Sequence, residues 1–239
     1  MTINPPIKLK KIRPPIDRAE KAYQIIKDAV IHRQFLPGVW VKQDDVSQAL
    51  GMSRTPLRQA LARLQSEGLI EARPRKGFRA VKFTSKELDS LFEVREVLET
   101  QFFVRSAKLI PREELEDTLN KLSEYEQKMK KSESDPELWD EHLRGYLKVD
   151  RAFHDRLIEA CGNEQWIYFY LNLRDKIDLI GYRTTSRIPG LYSQSFEEHN
   201  RIISAMQEGR YEEAKQAMKE HIRSVKGSIV TIEIDKDGK

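Results

Sequence analysis

A chain of 239 residues can bury two modest hydrophobic cores. It has no run approaching the ~20 apolar residues of a membrane helix and no apolar leader at its start, so membrane insertion and export are not expected. The lone cysteine, Cys161, excludes an intramolecular disulfide and fits a reducing cytoplasm, where its expected role is packing. Net charge is +4, but residues 1–83 carry +10 and the remainder −6. Positive charge gathered in one third of a chain suits contact with phosphates, whose counterions it would release.

Residues 1–16 form a basic, proline-rich arm with Lys8, Lys10, Lys11 and Arg13, a composition that usually stays solvated. Asp17 opens a helical pattern through Ala22, Ile26 and Val30 that ends near Phe35-Leu36-Pro37-Gly38. Val46, Ala49 and Leu50 then recur at helical spacing and stop at Gly51, which suits the left-handed position after a helix. Ser53 or Thr55 can cap the next helix, with Pro56 tolerated in its first turn.

In that helix Leu57, Ala60, Leu61 and Leu64 share one face, leaving Arg54, Thr55, Arg58, Gln59 and Arg63 to point elsewhere. A cationic, hydrogen-bonding face fits the DNA major groove, where arginine can bond guanine O6 and N7 together. Two short alternating runs, Leu69 to Arg73 and Phe78 to Val81, flank the turn Pro74-Arg75-Lys76-Gly77 and predict a basic hairpin. Arg75 and Lys76 at its tip are placed for the DNA backbone or a narrow minor groove.

The order helix, turn, helix, wing, with SRTPLRQALARLQSEGLI followed by RKGF, resembles the winged helix-turn-helix of the GntR family of bacterial transcriptional regulators from about Ala19 to Val81. The resemblance implies that Arg54 and Arg58 contact operator bases and phosphates, with Thr55 and Gly77 at the same surface. Where that family usually carries S-E-x-x-L in the first short helix this chain has Gln43-Asp44-Asp45, so no phosphate contact is carried over to Asp44.

Thr84 and Glu87 make a capping-box signature and set the boundary between a DNA-binding domain, 17–83, and a helical domain, 84–228, with a tail at 229–239. The predicted helices run from Ser85 to about Ile110, from Pro111 past Met129, from Pro136 to Cys161, and from Glu164 past Ile180. A loop from Ser186 to Ser193 leads to a capping box at Ser195 and Glu198. That helix ends at Gly209, a last one runs from Tyr211 toward Gly227, and the alternating stretch Ile229 to Ile234 can pair as a strand. The expected fold is mainly α: a winged helix-turn-helix followed by an all-α antiparallel bundle.

Polar residues interrupt the apolar seams of this bundle. Asp150 and His154 lie a turn apart on one inward stripe, His199 shares another with Phe196, Ile203 and Met206, and His221 a third with Ala214, Met218 and Val225. Any one inward histidine is more often a hydrogen-bonded core residue than a ligand. Three imidazoles and a carboxylate together suit zinc, nickel or another borderline divalent ion.

The spacing D-x-x-F-H, then E-H, then a late H also resembles the FCD effector domain of the FadR-like branch of the family, and implies that Asp150, His154, His199 and His221 are its metal ligands. His32 and His142 have no counterpart and are expected at the surface. Arg95 interrupts the seam Leu88, Leu91, Leu98 and Phe102; it can pair with Glu99 one turn on, and the FCD resemblance implies that it holds an effector carboxylate.

These readings converge on a cytoplasmic homodimeric repressor that binds a palindromic operator and answers to a small organic acid. A metal-dependent enzyme using Asp150 and the three histidines is the rival from another class; it lacks an evident general base and leaves the wing without a purpose. A second rival makes the metal itself the signal.

Overall fold

Apolar stripes from the first module converge on one small core. In the computed structural model, which describes residues 18–36, 38–186, 188 and 190–237, this core is built by α1 (Arg18–Ile31), α2 (Gln43–Ala49), α3 (Arg54–Ser66) and a hairpin of β1 (Ile70–Arg73) and β2 (Gly77–Ala80). The expected start at Asp17 and the basic arm lie outside the described residues. Ile26 of α1, Leu57, Leu61 and Leu64 of α3, and Phe78 of the hairpin are all essentially sealed from solvent. The spacing that predicts α3 thus produces its burial, and its polar face stays out.

The hairpin is antiparallel, pairing Ile70 with Ala80 and Arg73 with Gly77. Val41 joins it as an isolated bridge, donating to the Phe78 carbonyl at 2.7 Å and accepting from the Phe78 amide at 3.0 Å. A Cβ at Gly77 would sit 1.9 Å from the Val41 carbonyl oxygen, so only glycine fits where the two backbones cross.

Four residues, 81–84, connect the wing to the bundle. The capping box forms: Glu87 accepts from the Thr84 amide at 2.8 Å, and the Thr84 hydroxyl accepts from the Glu87 amide at 3.3 Å. The bundle comprises α4 (Ser85–Thr100), α5 (Phe103–Ala107), α6 (Arg112–Lys131), α7 (Pro136–Glu159), α8 (Glu164–Thr185), α9 (Leu191–Gln207) and α10 (Tyr211–Asp237). Leu122, Met129, Leu143, Tyr146, Ile202, Ile203 and Met218 fill its centre.

Three expectations for this region are corrected. The helix predicted to continue from Ser85 to about Ile110 is broken at Gln101-Phe102, where the Trp166 indole donates to the Leu98 carbonyl at 2.7 Å and helps satisfy the end of α4. Ser195 and Glu198 do not cap α9; it starts a turn earlier, after left-handed Gly190 (φ 76°), and both lie inside it. The stretch predicted as a strand at 229–234 continues α10 through Gly227, since each residue added to an existing helix gains a bond without a new nucleation cost.

The two modules touch along α1 and α8. Lys27 meets Asp175 at 2.5 Å, Leu179 of α8 enters the first module's core, and the His32 ring stands edge-on to Tyr182 at 5.2 Å.

Candidate functional site

The polar face of α3 presents Arg54, Thr55 and Arg58 to solvent, and Arg75 and Lys76 stand at the wing tip, where Arg75 takes a left-handed turn (φ 64°). Arg54 meets Asp44 at 2.8 Å, but the pair is about two-thirds exposed on each side, so phosphate or guanine can displace the carboxylate at small cost. Asp44 therefore lies beside the candidate DNA-reading face through Arg54.

Arg63, on the same helix, is committed elsewhere: its guanidinium lies 3.6 Å above the Tyr23 ring and pairs with Glu20 and Glu67. Gly77 is partly buried under Val41, so its position in the wing is dictated by the backbone crossing. Sequence reasoning missed Trp40. Its ring gathers Arg79 at 4.9 Å, Arg73 at 5.6 Å and Lys76 at 6.0 Å, a platform that holds cations along the wing.

In the bundle, α7, α9 and α10 bring Asp150, His154, His199 and His221 together, with one ligand atom from each lying within 4.8 Å of all the others. His154, His199 and His221 are buried. His199 Nε2 lies 3.2 Å from Asp150 Oδ1 and 3.3 Å from His154 Nε2.

Each imidazole is oriented by an acceptor on its other nitrogen. Glu99 takes His154 Nδ1 at 2.5 Å, the Ser195 carbonyl takes His199 Nδ1 at 2.7 Å, and Glu198 takes His221 Nδ1 at 2.7 Å. With Nδ1 engaged by an acceptor, the Nε2 atom is the one left to meet a metal. Three imidazoles and a carboxylate this close, with His199 Nε2 and His154 Nε2 only 3.3 Å apart, make a donor set that fits a divalent metal. Ser195 and Glu198, expected as caps, instead orient the histidines; only their partners across the bundle reveal that role.

Electrostatics agree. Burial is the main force that pushes His199 down to about 3, against the pull of Asp150, and burial likewise lowers His221, so both rings stay neutral and able to bind a metal. Burial alone would raise Asp150, yet His199, its companion histidines and Arg95 bring it below the usual carboxylate range.

Arg95 forms the ion pair with Glu99 anticipated from their spacing, Nε to Oε1 at 2.7 Å. Burial would raise Glu99, but Arg95 and His154 hold it down at about 2. Its Nη2 also lies 3.4 Å from His154 Nε2, at the edge of the cluster.

Arg95, Asp150 and His221 floor a cavity of about 460 Å³ whose exposed rim includes Lys148 and Asp28. His32 and His142, expected at the surface, are each partly buried. Docking on α8 covers His32, which lines the cavity, and His142 shares a hydrogen bond with Ser132.

Family models match on both modules: residues 18–79 fit the gntR family of bacterial regulatory proteins, and residues 90–224 fit the FCD domain. The chain belongs to the GntR family of regulators that carry an FCD domain. It is similar to the HTH-type transcriptional regulator YdhC of Bacillus subtilis (24% identity; 83% of this chain, 85% of the relative). It is also similar to the HTH-type transcriptional repressor RspR of Escherichia coli K12 (22% identity; 88% of each). In fold it matches E. coli McbR/YncC, with a TM-score of 0.70 at 17% identity, over 91% of this chain and 99% of that one. This GntR-FCD protein is a DNA-binding transcriptional regulator and not an enzyme. Among the described residues no helix is long and apolar enough to cross a membrane.

Proposed function

We propose that this regulator is a homodimeric repressor whose hold on a palindromic operator is released by a small organic acid bound beside a divalent metal. The observation that carries the reading is the convergence of three imidazoles and Asp150 on one point, at the edge of a cavity that Asp150, His221 and Arg95 line. Zinc or nickel suits such a nitrogen-rich donor set. When bound, the ion would supply a Lewis-acidic anchor for an acid's oxygen. Arg95 would add charge-assisted hydrogen bonds from the guanidinium atoms that Glu99 leaves free.

At the other end Arg54, Thr55 and Arg58 read the major groove while Arg75 and Lys76 follow the backbone or enter the minor groove. A two-fold dimer would impose its symmetry on the operator. The similarity to RspR, which is named a repressor, favours repression over activation.

The test is a titration of purified protein against operator selected from random-sequence DNA, with chelator, with zinc or nickel, and with carboxylic acids on the metal-loaded protein. The reading expects salt-dependent DNA binding that acids weaken only when metal is present. A response to metal with none to any acid would assign the signal to the ion itself. No salt-dependent DNA binding would refute the reading outright.

A further inference from the structure

One wall of the cavity belongs to the DNA-binding module. Ile31 and His32, at the end of α1, line it with Asp28, facing Arg144 and Lys148 of α7 and Tyr182 of α8. His32 Nδ1 lies 2.9 Å from the Asp28 carbonyl, which can only accept, so Nδ1 carries the proton and Nε2 offers a lone pair. Burial, then the nearby charge of Arg144, keep this ring neutral.

The helix that carries His32 is fastened to the recognition helix. Tyr23 of α1 donates to Glu67 at 3.0 Å, and the Arg63 guanidinium covers the Tyr23 ring. Lys27 binds the Tyr23 hydroxyl at 3.1 Å and Asp175 of α8 at 2.5 Å. A helix of 14 residues is a rod of about 21 Å, so a push at its last turn moves α3 with it.

We propose that the ligand site spans both modules: an acid anchored at the Arg95 end extends to Ile31 and His32 and presents a hydroxyl to His32 Nε2. This inference rests on the acid-responsive reading above. Its occupant is an elongated hydroxy-acid, since the cavity of about 460 Å³ has Arg95 and His32 both in its lining. A ligand can shift an equilibrium only by its difference in affinity for two arrangements. Here that difference arises directly, because displacing α1 removes part of the site.

The probes are acetate, hexanoate, 6-hydroxyhexanoate and adipate, titrated calorimetrically into full-length zinc-loaded protein. The expected result is that 6-hydroxyhexanoate binds about tenfold tighter than acetate or hexanoate, as a site built to bond a hydroxyl should prefer. His32→Phe, which keeps a ring against Tyr182 without the acceptor, should abolish that preference and leave acetate binding intact. Ile31→Trp should fill the far end, weaken 6-hydroxyhexanoate about tenfold, leave zinc content unchanged, and shift operator affinity about fivefold without any acid.

Affinity indifferent to chain length, or a hydroxyl preference that survives His32→Phe, would overturn the two-module site while acetate binding kept the regulator reading standing. Preference for adipate would assign the far end to Lys148 and Arg144 and overturn the role of His32. If none of the acids binds, the acid-responsive reading fails and the hydroxy-acid ligand fails with it. The contact between modules is then decided by Ile31→Trp alone, and unchanged operator affinity refutes it.

Discussion

The two modules use charged residues in opposite ways. On α3 and the wing the charges stand in water, where an ion pair such as Arg54–Asp44 contributes little and is easily exchanged for a phosphate. In the bundle Arg95, Glu99 and the three histidines are buried, where each polar atom needs a partner because little solvent reaches it. Function and stability are therefore separable in the first module and inseparable in the second.

Arg95→Ala offers the largest test of that contrast. It leaves Glu99 ionised and buried beside one partner, so urea unfolding should show a loss of about 3–5 kcal/mol. A loss below about 1 kcal/mol would mean that the core pair is solvated and that the contrast fails. His199→Ala should abolish bound zinc in elemental analysis. Wild-type protein at free zinc one hundred times its Kd should gain about 2.7 kcal/mol over the chelated form in calorimetry, and the variant none. Zinc retained at full stoichiometry by the variant would remove His199 from the ligand set.

A pH experiment probes the seam between the modules. Burial, with the neighbouring carboxylate of Asp175 opposing the relief from Arg151, raises Asp178 to about 6. The folded state then holds a proton that the unfolded chain has released, so this residue makes stability fall as pH rises from about 4 to 6. Asp178→Asn should flatten that part of the stability profile by an amount on the order of 2 kcal/mol relative to wild type. Parallel profiles for the two proteins would contradict it.

In the first module, Arg58→Ala should cost about 1–3 kcal/mol of operator affinity by footprint titration and leave the thermal midpoint unchanged. A lowered midpoint would show that the exposed face also supports the fold. The smallest effect belongs to Asp44→Ala: stability should stay within about 0.5 kcal/mol, while operator affinity rises slightly as Arg54 loses a competitor. Weaker operator binding would make Asp44 a positioning residue for Arg54.

The pattern of what the sequence reveals follows the same division. Helical period and capping signals locate α1, α3, the wing and α7 because those signals are local. The inward Asp150, His154, His199 and His221 stand out because a polar residue in an apolar stripe breaks its periodicity. The residues that orient them, Ser195 and Glu198, look like an ordinary helix start, since their partners lie in other turns or on α10. The break after Thr100 is accompanied by a bond from Trp166, 68 residues from the carbonyl that it helps satisfy, and no window of adjacent residues contains both. Trp40 carries no local signal, and His32 reads as a surface residue, for the same reason: one meets the wing cations and the other docks on α8.

The four-residue connection between wing and bundle has a mechanical consequence. Fully extended, the chain from Ala80 to Ser85 spans at most about 16–18 Å. The DNA-reading module is thus on a short tether and can swivel about it but cannot travel. In the proposed dimer a signal from the bundle would then reach DNA mainly as a change of angle, and a modest rotation at each tether would put one recognition helix out of phase with the other along the groove.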